Sequence, residues 1–138
     1  MLHFDYINRA KPILKWAGGK SSILPELIHF FPKNFNRYIE PFLGGGAVFF
    51  SLTKDEPISI INDYNQDIFL LYKIIRDSYK ELMQQLDKIS EKYSENFYYE
   101  LRASDPKTEI EKASRTLFLN KTGFNGLYRL NSKGLFNV

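Results

Sequence analysis

The amino-acid sequence predicts an α/β fold, the start of a doubly wound sheet that runs on into a helical region. Three observations carry that expectation. Arg37-Tyr38-Ile39-Glu40 reads as a short strand, and Pro41-Phe42-Leu43-Gly44-Gly45-Gly46 as a turn that opens a helix over residues 47–52. Ile58-Ser59-Ile60-Ile61, bounded by Pro57 and Asn62-Asp63, is an apolar, β-branched run of the kind that fills a buried parallel strand. From Gln66 the apolar spacing changes to that of helices.

Strand, glycine turn, helix and strand make one βαβ unit. Two strands do not complete a doubly wound sheet, so the sequence reads as the opening of a truncated fold, whose missing strands should leave the apolar faces of Ile39 and Ile58 to Ile61 exposed for association with another copy or a complementing piece. Val138 follows Phe136-Asn137 without a closing signal.

The elements on either side are read from local chemistry. Residues 11–20 form a loop ending on Gly18-Gly19-Lys20. A helix should follow, capped by Ser21 or Ser22, with Pro25 in its first turn and Ile23, Leu27, Ile28 and Phe31 as its apolar stripe. Pro32 stops it. Beyond Gln66, Ile68, Leu71, Tyr72 and Ile75 share one helix face. Ser78 and Glu81 match a capping box for a second helix carrying Leu82, Leu86 and Ile89. Thr108 and Glu111 match another, ahead of Ile110, Ala113 and Leu117. After Asn120, Gly123, Asn125-Gly126, Asn131 and Gly134 punctuate a hairpin-like loop that carries Leu127, Tyr128 and Leu130.

Composition narrows the function classes. Hydrophobic residues make up 43% of the 138, enough for a packed core. There is no cysteine, which excludes disulfides and cysteine-rich zinc sites and fits a reducing compartment. No stretch approaches the roughly 18 apolar residues of a membrane span, so a soluble, cytoplasmic protein with no membrane partner is expected. A net charge of +3 permits a polyanionic partner without requiring one. Aromatic content is high, with twelve Phe, nine Tyr and one Trp, and core packing absorbs most such residues.

The glycine turn is the first candidate site. Glycines between a strand and a helix let a ligand approach the backbone, and the helix start offers unpaired N–H groups. Asp63, at the end of the next strand, stands where an acid can accept both hydroxyls of a ribose. An adenosine-containing ligand would suit that arrangement, and so would a plain tight turn. The strict dinucleotide fingerprint wants glycine at position 49, where the chain has Phe49. That mismatch counts against a nicotinamide-dependent oxidoreductase. Gly19-Lys20-Ser21 resembles the end of a phosphate-binding P-loop, but the required glycine at position 14 is Leu14.

Four motifs in order are more specific. They are Lys15-Trp16-Ala17-Gly18-Gly19-Lys20; Glu40-Pro41-Phe42-Leu43-Gly44-Gly45-Gly46; Ile61-Asn62-Asp63-Tyr64-Asn65; and Asn125-Gly126-Leu127-Tyr128-Arg129 with Gly134-Leu135-Phe136-Asn137-Val138. This series resembles the Dam-type, or D12-class, adenine-N6 DNA methyltransferases over nearly the whole chain. The resemblance implies a Rossmann-like methyltransferase sheet with an inserted helical target-recognition region. It implies that residues 1–65 bind S-adenosylmethionine and that residues 66–138 recognise double-stranded DNA.

It also implies roles. Trp16, Lys20, Phe42, Gly44, Gly46 and Asp63 would contact the cofactor, with Lys20 on its carboxylate and Trp16 near its sulfonium. Lys121, Phe124, Asn125 and Arg129 would contact DNA. Arg129 matches the arginine that reads guanine in enzymes specific for GATC, by two hydrogen bonds to O6 and N7. Phe124 matches a ring inserted beside the emptied base stack.

The family's catalytic Asp-Pro-Pro-Tyr does not occur in these residues, so no catalytic residue is assigned. Asp105-Pro106 continues into Lys107-Thr108 and looks like a helix start. The expectation is an N-terminal portion of a restriction–modification or Dam-like enzyme, inactive alone and completed by a C-terminal polypeptide. The alternatives are one half of a split methyltransferase or a non-catalytic DNA- or cofactor-binding remnant.

Overall fold

The structure is a computed structural model that describes residues 10–32, 35–51 and 58–138. It is mixed α/β: among the described residues there are four α-helices and one two-stranded parallel sheet. The chain divides into two compact units, Met1–Tyr64 and Asn65–Val138.

In the first unit, strands β1 (Tyr38–Glu40) and β2 (Ser59–Ile61) pair in parallel, Tyr38 opposite Ser59 and Glu40 opposite Ile61. The ladder continues past the strand ends, as Asn62 N donates to Glu40 O at 2.9 Å and Leu43 N to Asn62 O at 2.9 Å. Both strands therefore deliver their carboxyl ends to the glycine turn. The exposure expected of an incomplete sheet is observed: Ile58 and Ile60 are exposed, as is Ile39 on β1. An apolar strand is covered only when further layers pack on both of its faces.

Two local expectations are corrected. The helix after Gly19 is a 3-10 turn (Lys20–Ser22), a short helix α1 (Leu24–Leu27) and a second 3-10 turn (Ile28–Phe30). Neither serine caps it; Ile23 stands at the N-cap of α1, and Leu24 rather than Ile23 is buried. Pro25 does lie in the first turn. The helix expected over residues 47–52 is a single 3-10 turn at Phe49–Ser51, and Leu52 lies outside the described residues.

In the second unit, the 25-residue helix α2 (Gln66–Ser90) begins at Asn65, whose Oδ1 accepts from the N–H groups of Asp67 and Ile68. It breaks at Ser78 (φ −148°, ψ 41°), where the sequence predicts a second helix to start. Ile68, Leu71, Tyr72, Leu82 and Ile89 are buried, with Ile74 in place of Ile75. Helix α3 (Glu95–Ala103) has no counterpart among the expected elements; the Ser94 hydroxyl caps its start. Arg115 donates to the carbonyls of Leu101 and Arg102, satisfying the last turn of α3. Helix α4 (Glu109–Thr122) carries the expected capping box: Glu111 N donates to Thr108 Oγ1, and Thr108 N to the Glu111 carboxylate. A core of Ile89, Phe118 and Leu119 joins the helices, and Phe97, Leu101 and Phe136 pack against it.

Among the described residues no helix is long and apolar enough to cross a membrane.

Candidate functional site

The glycine turn lies at the carboxyl ends of β1 and β2, the position where open parallel sheets accept ligands. Gly44 adopts φ +54°, in the left-handed region that favours glycine. Its N–H donates to Asp63 Oδ2 at 2.8 Å, so the acid after β2 holds the turn after β1. A Cβ on Gly44 would meet Trp16 Cδ1 at 3.2 Å, and a Cβ on Gly45 would lie 2.9 Å from the Leu14 carbonyl oxygen. The segment through Leu14 and Trp16 thus crosses directly over the turn. The first three motifs become one place in space.

They enclose a cavity of about 350 Å³ lined by Trp16, Lys20, Glu40, Phe42, Gly44 and Asp63, among others. Trp16 is half-buried against the turn, and Phe42 is 78% exposed at the rim. Lys20 curls back so that its ammonium donates to Gly18 O at 2.8 Å, which leaves two of its three N–H donors for a ligand. Gly46 lies outside the lining; its buried backbone closes the turn, donating to Leu43 O and accepting from Phe50 N.

Glu40 also lines the cavity, and the sequence alone assigns it no role. Burial pushes its carboxyl above the ordinary value, and the neighbouring Asp63 charge pushes the same way. Tyr38 Oη donates to Glu40 Oε2 at 2.8 Å and opposes the rise. The available signal was an acid at the end of a strand that opens on a glycine turn. Two carboxylates, one ammonium and two aromatic rings suit a ligand with hydroxyls, a carboxylate and a cationic centre.

In the second unit, the expected DNA-contacting residues lie between the end of α4 and the following hairpin. Lys121 is exposed in the last turn of α4. Phe124 is 74% exposed, and Asn125 adopts φ +53° inside the short turn Phe124–Gly126. That turn is tied down from below: buried Asn120 donates through Nδ2 to Gly126 O at 3.0 Å. An exposed ring on a strained turn with a buried amide beneath it is a presented ring, and the role of Asn120 was not legible in the sequence. The hairpin-like expectation is met by the antiparallel bridge Leu130↔Phe136. Arg129 is exposed and bonded to Asn137. Tyr128 anchors the hairpin, donating through Oη to Asp67 Oδ2 at 2.7 Å. Asp105, by contrast, lies in the connection between α3 and α4 and pairs with Lys107, as a surface linker does.

Comparison with known proteins agrees with this geometry. The family model described as D12 class N6 adenine-specific DNA methyltransferase matches residues 16–138. The chain is 37% identical over its whole length to the type II methyltransferase M1.LlaDCHI of Lactococcus lactis subsp. cremoris, covering 50% of that protein. It is 40% identical over 93% of its length to type II methyltransferase M.MjaIII of Methanocaldococcus jannaschii, covering 51% of it. It is 38% identical over 95% of its length to the DNA adenine methylase of Escherichia coli strain K12, covering 47% of it. The chain spans about half the length of the curated relatives it matches. With a model match from Trp16 to the last residue, the chain belongs to the D12 class of N6 adenine-specific DNA methyltransferases.

Proposed function

We propose that this chain supplies the cofactor-binding and target-recognition parts of a site-specific, S-adenosylmethionine-dependent DNA adenine-N6 methyltransferase. The observation that carries the reading is the Asp63–Gly44 hydrogen bond beneath the Trp16 ring, which assembles a nucleoside-sized cavity at the strand ends. The parts belong to a Rossmann-like, doubly wound sheet, and residues 1–65 and 66–138 divide the two tasks.

The residues fit the cofactor. A Cβ at Gly44 or Gly45 would crowd the turn that the ligand must approach, and glycine stands at both. Asp63 accepts from the ribose hydroxyls while holding Gly44, since a carboxylate has about four acceptor positions. Lys20 donates to the ligand carboxylate, and Trp16 and Phe42 flank its apolar and cationic parts. Gly46 shapes the turn. The bound cofactor contributes a methyl group activated on a sulfonium. Within these residues the tasks are binding and orientation, and the grip on the flipped adenine is assigned to the Asp-Pro-Pro-Tyr of a complementing C-terminal part.

The DNA partner is double-stranded and the site is of the GATC type. Arg129 reads a guanine, Phe124 enters beside the emptied stack, Asn125 contacts a base or phosphate, and Lys121 adds phosphate affinity. The protein is cytoplasmic and acts in restriction–modification or in Dam-like marking.

Duplex titrations at two salt concentrations test the assignment. Arg129→Ala should flatten the preference for one guanine by about 1–3 kcal/mol. Lys121→Ala should weaken all duplexes alike and reduce the salt slope by roughly one unit. Equal losses on every sequence for Arg129→Ala would refute direct readout.

A further inference from the structure

The structure assigns Asn137 as the positioning residue that aims the Arg129 guanidinium, an inference that rests on the reading of Arg129 as the guanine contact. Arg129 Nε donates to Asn137 Oδ1 at 2.8 Å, and Arg129 Nη2 donates to the Asn137 carbonyl at 2.9 Å. One residue therefore takes the whole side edge of the guanidinium, with its side chain and its main chain together.

That choice of edge matters. A guanidinium offers two parallel donor pairs, a side edge of Nε and Nη2 and an end edge of Nη1 and Nη2. Nη2 carries two hydrogens, and only one points along the side edge. With Asn137 on the side edge, the end edge keeps both of its N–H groups, and Arg129 Nη1 has no acceptor among the described residues. The end edge is a two-donor fork, the partner required by guanine O6 and N7. A lone exposed arginine samples many rotamers and loses that freedom on binding. Arg129 has lost much of it already.

The clasp rests on a fixed base. Asn137 N donates back to Arg129 O at 3.0 Å, pairing the two hairpin arms at this position. The next carbonyl, Val138 O, accepts from Tyr98 Oη and from Arg102 Nη1, both at 3.0 Å, which ties the arm to α3. On the other side of Asn137, Phe136 packs on the core and meets the Tyr128 ring at 5.7 Å. Alternation along the arms pairs Tyr128 with Phe136 on one face and sets half-buried Asn137 beside exposed Arg129 on the other.

Two measurements on the full chain test this. In the free protein, the Arg129 Nε–H should give a resolved nitrogen–proton resonance with slow solvent exchange, lost in Asn137→Ala. In duplex titrations, Asn137→Ala should reduce the preference for the cognate guanine by about three- to tenfold, the worth of one hydrogen bond. Binding to duplexes lacking that guanine should stay unchanged. In an Arg129→Ala background, Asn137→Ala should have no further effect on sequence preference. Asn137→Asp keeps an oxygen for Nε and should keep the preference while lowering affinity for every duplex. Fast exchange in the unmutated chain, or a loss that persists in the Arg129→Ala background, overturns the inference. If Arg129→Ala itself leaves sequence preference intact, the guanine assignment fails, and the resonance still reports on the clasp.

Discussion

The backbone N–H of Gly44 donates to the Asp63 carboxylate at 2.8 Å across a separation of nineteen residues. A single acid thus fixes the turn proposed to admit the cofactor and presents the group that would grip it. Asp63→Ala should cost on the order of 2–3 kcal/mol of S-adenosylmethionine binding. Asp63→Asn, which keeps a neutral acceptor for Gly44, should lose less. Calorimetry with S-adenosylmethionine or its demethylated product measures both, and an unchanged dissociation constant for the alanine variant would remove the ribose assignment.

The turn beneath that acid is crowded, so small side chains should act through stability. Gly44→Ala forces a left-handed conformation on an alanine and presses its methyl towards Trp16, at a cost of about 1–2 kcal/mol. Gly45→Ala drives a Cβ against the Leu14 carbonyl, which is backbone, and should cost about 1–3 kcal/mol. Denaturant melts monitored by Trp16 fluorescence report both. Midpoints equal to the parent's would show that the segment over the turn yields freely.

The start of α4 should be as sensitive as its capping box implies. Thr108→Ala should destabilise the helical unit by about 1 kcal/mol. The Thr108 N–H holds the Glu111 carboxyl below the ordinary value. Its contribution is full above the unfolded pKa and fades as pH falls through the lower folded value. Melts of Thr108→Ala and Glu111→Gln at neutral and acid pH test this. A Glu111→Gln loss that grows on acidification would contradict it.

Tyr128 should make the helical unit fail in alkali. Burial pushes its phenol up to about 12, and its hydrogen bond to Asp67 adds to the rise while one to Asn65 opposes it. A phenol that resists ionisation in the fold stabilises fully below the unfolded value near 10, and that contribution disappears as pH rises towards 12. Difference titration of tyrosinate absorbance against Tyr128→Phe should show one late-titrating phenol. Its absence, with equal alkaline melts, would refute the anchor.

The 138-residue chain should not methylate DNA unaided. Transfer to an exocyclic amine needs the adenine flipped and its N6 held against the methyl donor. Its one Asp-Pro, at Asp105, sits on a surface linker bound to Lys107. Incubation of the purified chain with labelled S-adenosylmethionine and GATC-containing duplex should leave adenine unlabelled. Label appearing at enzymatic rates without a second polypeptide would overturn this.

What the sequence carried and what it hid divide along physical lines. The two strands, the cap at Thr108 and the punctuation at Ser78 were legible because each is encoded in a few neighbouring residues, and the parallel pairing follows from the βαβ order. The nearness of Asp63 to the glycine turn was legible from the strand–turn–strand order, whereas the addition of Trp16, Lys20 and Phe42 was legible only through the resemblance, because no local rule brings Leu14 across Gly45. Helix α3 was missed: it is only nine residues long and none of its side chains is fully buried, so it lacks a strong apolar stripe. Asn120 and Asn137 were missed because an amide announces nothing until its partner is known. Exposure of Ile39, Ile58 and Ile60 was legible too, since a β-branched strand is buried only where further layers cover it and two strands do not supply them.

The turn at Asn125 and Gly126 also sets a chemical lifetime. Asparagine followed by glycine is the dipeptide that most readily closes to a succinimide, because the glycine nitrogen is unhindered and swings onto the side-chain carbonyl. Here the Gly126 nitrogen is buried and its N–H is committed to Gly123 O at 3.1 Å, while Asn120 holds the Gly126 carbonyl from the other side. The fold that presents Phe124 therefore also protects its neighbour from ageing. Each excursion out of the turn exposes the chain to an irreversible change, from a neutral amide to a negative carboxylate, in the loop proposed to approach phosphates. Loss of DNA affinity on storage would then begin at this dipeptide, and it would accelerate in any variant that removes the Asn120 amide.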